Sequence, residues 1–192
     1  MSANIILASA SPRRKDLLAK FLRKFDVIPS VIDESRIFAS DPETFARKAA
    51  IFKANDVAAS HKDAIVIGAD TIVVLDGKIL GKPKDAAHAV SMLKALSGRT
   101  HQVITGLAVV FPNQKDIVSE IEVTRVKMKR TAEKDILDYV KSGRPMDKAG
   151  AYGIQEIEGI FIDNIEGDRD NVVGLPVARL KSLLSRHAKG GC

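Results

Sequence analysis

Three segments of the chain break local structural rules in ways that chemistry would explain. Arg13, Arg14 and Lys15 follow Ser11-Pro12, a serine cap with proline at the first helical position. The positive end of a helix dipole prefers acidic neighbours, so three bases there are unfavourable until an anion joins them. Such an anion would receive backbone N–H and guanidinium groups together, with Ser9 and Ser11 as hydroxyl donors; a solvated basic helix end is the plainer alternative. Asp70 is the second anomaly. It lies inside Ala64-Ile-Val-Ile-Gly-Ala-Asp-Thr-Ile-Val-Val-Leu75, apolar on both sides, where a carboxylate is costly unless paired, bound to metal, or used. Gly68 and Ala69 keep the backbone before it uncrowded, as a ligand-facing strand end requires; the alternative is an Asp bonded to a neighbouring loop.

Lys82, in Gly81-Lys82-Pro83, returns toward the Asp70 strand after a hairpin, and Lys53 lies on a predicted helix beside an apolar face. Each lysine alone reads more readily as solvated. With Asp70, Arg13 and Arg14 they make one carboxylate among several cations, the set that hydrolysis of a phosphoanhydride needs. The third segment is Asp147-Lys-Ala-Gly-Ala-Tyr-Gly-Ile-Gln155. Gly150 and Gly153 permit a tight backbone, and the Gln155 amide can read a base edge. Taken alone, this segment reads more readily as an ordinary Gly-rich loop with a solvated Gln. Its Gly-x-x-Gly lacks the flanking elements of a KH-type RNA module.

The elements that must position these residues alternate. Asn4–Ser9 reads as an opening strand, followed by a helix with Leu17, Leu18, Phe21 and Leu22 inward. A strand is expected over Val27–Ile32. A helix begins at Asp41-Pro42-Glu43 and runs to about Ser60, its apolar face made by Phe45, Ala49, Phe52 and Val57, with Asp56 at the edge. Asp76-Gly77 signals a hairpin after the Asp70 strand. Asp85–Leu96 is an amphipathic helix. Residues 101–128 alternate as two long strands joined near Pro112-Asn113. Ala132–Lys141 is helical, 147–174 is Gly-rich with a short strand at Gly159–Ile165, and Pro176–Arg186 is a final helix using Val177, Leu180, Leu183 and Leu184. This alternation predicts an α/β or α+β class, in a single domain over residues 1–192.

The chain has 192 residues, a net charge of +6, 45% hydrophobic and 28% charged residues, ordinary for a folded soluble protein. Apolar runs such as Ala64–Ala69 are far short of the roughly 20 residues a spanning helix needs. The first residues, MSANIILASASPRR, carry charge after the apolar stretch, the reverse of a secretory signal. The single cysteine, Cys192, cannot form an internal disulfide, so a reducing, cytoplasmic setting is expected. The basic excess is uneven: residues 1–30 and 171–192 each carry +4, and 156–170 carry −5. That is no uniform polyanion track. No Walker, Rossmann or Gly-x-Ser-x-Gly motif is present, and His61, His88, His101 and His187 are too scattered for a zinc cluster.

The three anomalous segments, with Leu7-Ala-Ser-Ala-Ser-Pro-Arg-Arg14, Gly68-Ala-Asp-Thr71, Gly81-Lys-Pro83, Leu96-Ser-Gly98, Asp147–Gln155 and Asn171-Val-Val-Gly-Leu-Pro176 in that order, resemble the Maf family of nucleoside triphosphate pyrophosphatases. The resemblance implies an elongated, two-lobed domain around a mixed, strongly twisted sheet with a deep cleft, similar to the inosine-triphosphate-pyrophosphatase-like fold. It implies hydrolysis of a nucleoside triphosphate to monophosphate and pyrophosphate with a divalent cation, Mg²⁺ or Mn²⁺, in a homodimer. Asp70 falls on the family's general-base position. Ser9, Arg14, Lys53 and Lys82 fall on phosphate-binding positions, and Asp70 and Glu34 on metal-binding ones. Arg13, Thr71 and Gln155 match the branch that prefers dTTP and UTP; the branch acting on 7-methyl-GTP typically has Gly-Ser-Asp-Gln in place of Gly68-Ala-Asp-Thr71. Gly167-Asp-Arg-Asp170 departs from relatives that carry a Tyr there, which bears on a cleft rim or subunit contact. Three other readings stay open: a pyrophosphatase for deaminated or modified purine triphosphates, a basic nucleic-acid-binding module, and a nucleotide-binding regulator of the cell-division arrest with which the family is associated.

Overall fold

Two long strands, β3 (Ile65–Leu75) and β5 (Thr100–Val110), pair antiparallel and form the centre of the sheet. The computed structural model describes the backbone of residues 4–112 and 117–189, with side chains through Ser185. Residues 1–3, Asn113 of the expected turn, the His187 side chain and Cys192 lie outside the described residues. On one side of β3 runs β1 (Ile5–Leu7), parallel to it and to β2 (Asp26–Val27). On the other side β5 is followed by β6 (Ile117–Met128) and β7 (Ile162–Glu166), all antiparallel. The order is β2-β1-β3-β5-β6-β7, with β4 (Lys78–Leu80) folding back on the end of β3. Seven helices complete the described chain: α1 (Pro12–Ala19), α2 (Pro42–Ala58), α3 (Ala86–Leu96), α4 (Glu133–Lys141), α5 (Ile154–Phe161), α6 (Arg169–Val173) and α7 (Val177–Lys189). The mixed α/β class expected from the alternation is the one observed.

Helix α2 and the centre of the sheet meet backbone to backbone. Gly68 and Gly106 face α2, and a Cβ on either would lie 2.3 Å from the Ala50 carbonyl oxygen or 2.1 Å from that of Ala46. The helix face that fits so close is made of alanines, Ala46, Ala50 and Ala54, all fully buried. This corrects the expected face: Phe52 is exposed, because the gap left over two glycines admits no ring. Asp41 caps α2 by accepting from the Thr44 N–H at 2.8 Å, as Asp41-Pro42-Glu43 predicts. The opposite face of the sheet carries the larger core, where Leu93, Leu96, Ile136, Ile157, Phe161 and Leu180 pack from α3, α4, α5 and α7.

Three further expectations are altered. The strand expected over Val27–Ile32 stops at Val27, since Pro29 has no N–H to pair and the Asp56 carboxylate takes the Ser30 hydroxyl and the Val31 N–H instead. The strand expected at Gly159–Ile165 is helical through Phe161: Ile154, Ile157 and Phe161 bury at helical spacing, and the extended run starts only at Ile162. Within the stretch read as Gly-rich, Asp168 caps α6, a helix the sequence pattern did not reveal. Among the described residues no helix is long and apolar enough to cross a membrane.

Gly106→Ala is expected to destabilise the fold by about 1–3 kcal/mol, because α2 must move outward to admit the methyl group. Gly159→Ala, where nothing lies within 4 Å, is the matched control and is expected to be neutral or slightly stabilising in urea titrations. A pH effect is also expected. His101 is buried on β5 with Nε2 2.6 Å from the Tyr152 hydroxyl and no partner at Nδ1 among the described residues, and desolvation lowers its pKa from 6.5 to about 4. The unfolded chain binds this proton more readily, so stability is full above pH 6.5 and declines as the pH falls toward 4, by about 3 kcal/mol in all. Wild type should therefore lose stability relative to His101→Gln across that window; a difference independent of pH would count against the buried neutral imidazole.

Candidate active site

The edge of β3 is left open where the chemistry-bearing residues lie. Its ladder to β1 covers Ile65–Ile67 and its ladder to β4 covers Val73–Leu75, so among the described residues 68–72 pair only with β5. At that opening β1 ends and the chain turns away through Ser9 into α1, while β2 and β3 flank β1 on opposite sides. A cavity at the carboxyl end of a strand where the chain path diverges is a recurrent ligand position in α/β sheets. Here the cavity measures about 660 Å³, and all nine site residues named from the sequence line it. Because the strand is pleated, Asp70 and Thr71 leave β3 on opposite faces and reach the cavity around its open edge.

Asp70 faces α2, opposite Gly106 in the ladder. It is only 6% exposed, and its Oδ1 accepts from the Lys53 ammonium at 2.5 Å. The same ammonium lies 2.7 Å from Glu34 Oε1, carried by a 3-10 turn over Glu34–Arg36. One lysine thus holds two carboxylates together. Of the outcomes left open for a carboxylate in an apolar strand, pairing is observed, and the partner is Lys53, reached from the alanine-lined helix. Asp70 Oδ2 receives no hydrogen bond among the described residues and remains available.

Arg14 works on the other face of β3. Its Nε donates to the Gly174 carbonyl at 2.8 Å, Nη1 to Ser9 Oγ at 3.0 Å and Nη2 to Thr71 Oγ1 at 3.0 Å. Thr71 Oγ1 in turn lies 2.8 Å from Thr105 Oγ1, its partner across the ladder. Three acceptors spread over the fork fix the guanidinium plane and leave one N–H on each terminal nitrogen for a ligand. Desolvation draws the Arg14 pKa below its ordinary value, opposed by the attraction of Asp70 and Glu34 and reinforced by Arg13. Ser11 caps α1 by accepting from the Arg14 N–H, so the helix start is as the sequence predicts.

The 147–156 segment closes the third wall. Gly150 sits at φ +68°, against Val73, and its N–H donates to the Gly81 carbonyl, tying this segment to the loop that carries Lys82. Lys82 and Gln155 are exposed and have no hydrogen-bond or ion-pair partner among the described residues. Arg13 lies 3.3 Å from Asp147. Sequence reasoning missed Lys148, whose buried ammonium meets Asp147 and Glu156; a lysine inside a Gly-rich segment carries no local sign of burial. Thr105 and Asn171 were missed as well. Only the ladder and α6 bring them behind Thr71, Thr105 donating to the Asn171 carbonyl at 3.4 Å. Arg169, the departure noted in the sequence, pairs with Glu158 and is not part of the cavity lining.

The donors offered to a metal are two carboxylates, Asp70 and Glu34, and no cluster of three or more His, Cys, Asp or Glu occurs among the described residues. Two hard oxygen donors beside a cavity lined by Arg14, Lys53 and Lys82 have the chemistry that suits Mg²⁺ or Mn²⁺, ions that keep several waters and favour oxygen ligands. They do not suit zinc, which prefers nitrogen or sulfur.

Comparison with known proteins places this geometry. The sequence pattern that defines the family described as Maf-like protein matches residues 4–187. A protein of Clostridioides difficile (strain 630), named dTTP/UTP pyrophosphatase, is 47% identical over 96% of this chain and 95% of its own length. One of the same name from Clostridium novyi (strain NT) is 49% identical over 93% of this chain and 95% of its own. Among solved structures, the Staphylococcus aureus Ham1 protein superimposes with a TM-score of 0.56 at 18% identity, covering 96% of this chain and 99% of that one. This establishes the Ham1/inosine-triphosphate-pyrophosphatase-like fold. With matched segments running from the first strand into the last helix, the chain belongs to the Maf family.

Proposed function

We propose that this protein hydrolyses the nucleoside triphosphates dTTP and UTP to monophosphate and pyrophosphate, the 192 residues working as one catalytic domain in nucleotide house-cleaning. The observation that carries the reading is the Asp70–Lys53–Glu34 cluster set into one cavity with Arg14, Lys82 and the free Gln155 amide. The activity named for the relatives supports the pyrimidine triphosphates as substrates.

Asp70 acts as general base. Lys53 holds Oδ1 and thereby orients the carboxylate, leaving Oδ2 to accept the proton of a water that attacks the α-phosphorus in line. Ser9, Arg14 and Lys82 face the phosphates, and the two free guanidinium N–H groups of Arg14 stabilise charge on the departing pyrophosphate. A divalent cation held by Asp70 and Glu34, when bound, would supply neutralisation of the phosphate oxygens. Arg13, Thr71 and Gln155 discriminate among bases. The Thr71 hydroxyl is already shared among Arg14, Thr105 and the Gly174 carbonyl, so its contribution comes through the methyl group and through the placement of Arg14.

The rival readings find less support. Arg13, Arg14, Lys53 and Lys82 line one concavity rather than a surface track, which disfavours a nucleic-acid module. Family resemblance supports a homodimer, and the lone terminal cysteine a cytoplasmic setting. A panel of standard and deaminated triphosphates with Mg²⁺ or Mn²⁺, scored for pyrophosphate release, tests the reading; preference for deaminated purines, or release of single phosphates, would overturn it. Asp70→Asn is expected to cut turnover about 10²–10⁴-fold with the fold retained by circular dichroism. Substitutions of Arg13 or Gln155 should change rates among triphosphates unequally, and a uniform loss would remove them from base recognition.

A further inference from the structure

Lys148 is the buried charge that the proposed chemistry does not use. Its side chain is 8% exposed; its ammonium donates to the Arg144 carbonyl at 2.5 Å and to Asp147 Oδ1 at 2.6 Å, and it is ion-paired with Glu156 Oε1 at 3.1 Å. Its charge is compensated within the protein by two carboxylates. Its stem fills the space over Gly153, where a Cβ would lie 2.7 Å from Lys148 Cε, so the lysine and the backbone leading into α5 are fitted to one another.

The bonds continue on both sides. Asp147, through its other oxygen, meets Arg13 at 3.3 Å on the first turn of α1. Glu156, through its other oxygen, accepts from the Tyr139 hydroxyl at 2.6 Å, and that hydroxyl accepts from the Gly153 N–H at 3.2 Å. Burial, aided by Glu156, holds the Tyr139 phenol above its ordinary pKa and therefore protonated. Gln155 sits between Gly153 and Glu156, both bound into this chain of contacts, while buried Ile154 anchors the same turn. The two cavity residues assigned to the base, Arg13 and Gln155, lie 142 positions apart in sequence and are joined by this chain of ionic and hydroxyl contacts. An apolar side chain in place of the lysine would fill the volume over Gly153 but could not join the two carboxylates. The carboxylate partners of Lys148 are not themselves buried, Asp147 being 64% and Glu156 24% exposed, so the pairs contribute little net stability and their consequence is the geometry they impose.

We propose that Lys148 is a positioning residue for base recognition, fixing Arg13 and Gln155 relative to one another across the cavity through Asp147 and Glu156. The inference rests on the reading that these two residues face the base. It assigns selectivity in part to a residue that touches no substrate.

The test measures kcat and KM for dTTP, UTP, CTP, dGTP and dATP in wild type, Lys148→Met, Tyr139→Phe, Gln155→Ala and Lys148→Met/Gln155→Ala. Lys148→Met is expected to lower the preference for dTTP over the purine triphosphates about 10- to 100-fold, chiefly through KM for dTTP, as a displacement of order 1 Å would do. Tyr139→Phe, whose side chain lies outside the cavity lining, should move the preference the same way by less, and it carries the test if Lys148→Met does not fold. The double variant should lose less than the two single losses combined, since both changes act on the Gln155 amide and only the share carried through Arg13 is separate. A uniform fall in kcat with preference unchanged, or additive losses in the double variant, would overturn the proposal. Absence of base preference in wild type would fell the underlying reading and this inference with it. Preference in wild type that persists in the folded variants would fell the inference alone.

Discussion

The closeness of α2 to the sheet is the constraint on which the site depends. Gly68 and Gly106 remove the side chains that would hold a helix at its ordinary distance, and alanines on the helix complete the fit. Only from there does Lys53 reach into the strand pair and meet Asp70 without extending through solvent. Gly106 lies directly opposite Asp70 in the ladder, so the residue that admits the helix and the residue that the helix serves are cross-strand neighbours. Packing and electrostatics are here a single requirement. A larger side chain at either glycine would separate the carboxylate from its counter-ion and leave a charge in low dielectric, where isolation is most costly.

The polar groups around the cavity are satisfied in two different ways. The Asp70 side is ionic, one ammonium shared between two carboxylates, and it carries more negative than positive charge. The Arg14 side is built from neutral acceptors, a serine, a threonine and a carbonyl, so the guanidinium keeps its full positive charge toward the cavity. A ligand with separated phosphate groups and a metal is complementary to such a divided field. A single inorganic anion could satisfy only half of it. The division explains why a basic net charge, taken as one number, says so little: the charges that matter are few and arranged in opposition.

Much of this was legible in the sequence. Ser11-Pro12 and Asp41-Pro42 announced two helix starts, and a carboxylate amid β-branched residues announced Asp70, because each violates or satisfies a rule that acts within a few residues. What was not legible depends on distance along the chain. Phe52 looked like core by periodicity, yet the glycines that exclude it lie 16 and 54 residues away. Gly159–Ile165 offered a β-branched run, but Phe161 finds its partners on α4, including an edge-on contact with Tyr139, and the turn before Ile162 stays helical. Lys148 has an unremarkable local sequence, and Thr105 acquires meaning only through its register with Thr71.

The open edge of β3 also bears on how such a protein can diverge. Adjacent residues on one strand present a carboxylate to one side and a hydroxyl to the other, so Asp70 and Thr71 share a backbone while Lys53 binds the one and Arg14 and Thr105 bind the other. Replacements behind Thr71, at Thr105 or Asn171, alter one face of the strand and do not remove the Lys53 hydrogen bond to Asp70 on the other. Change can therefore accumulate on one face of such a strand while the carboxylate on the other keeps its counter-ion.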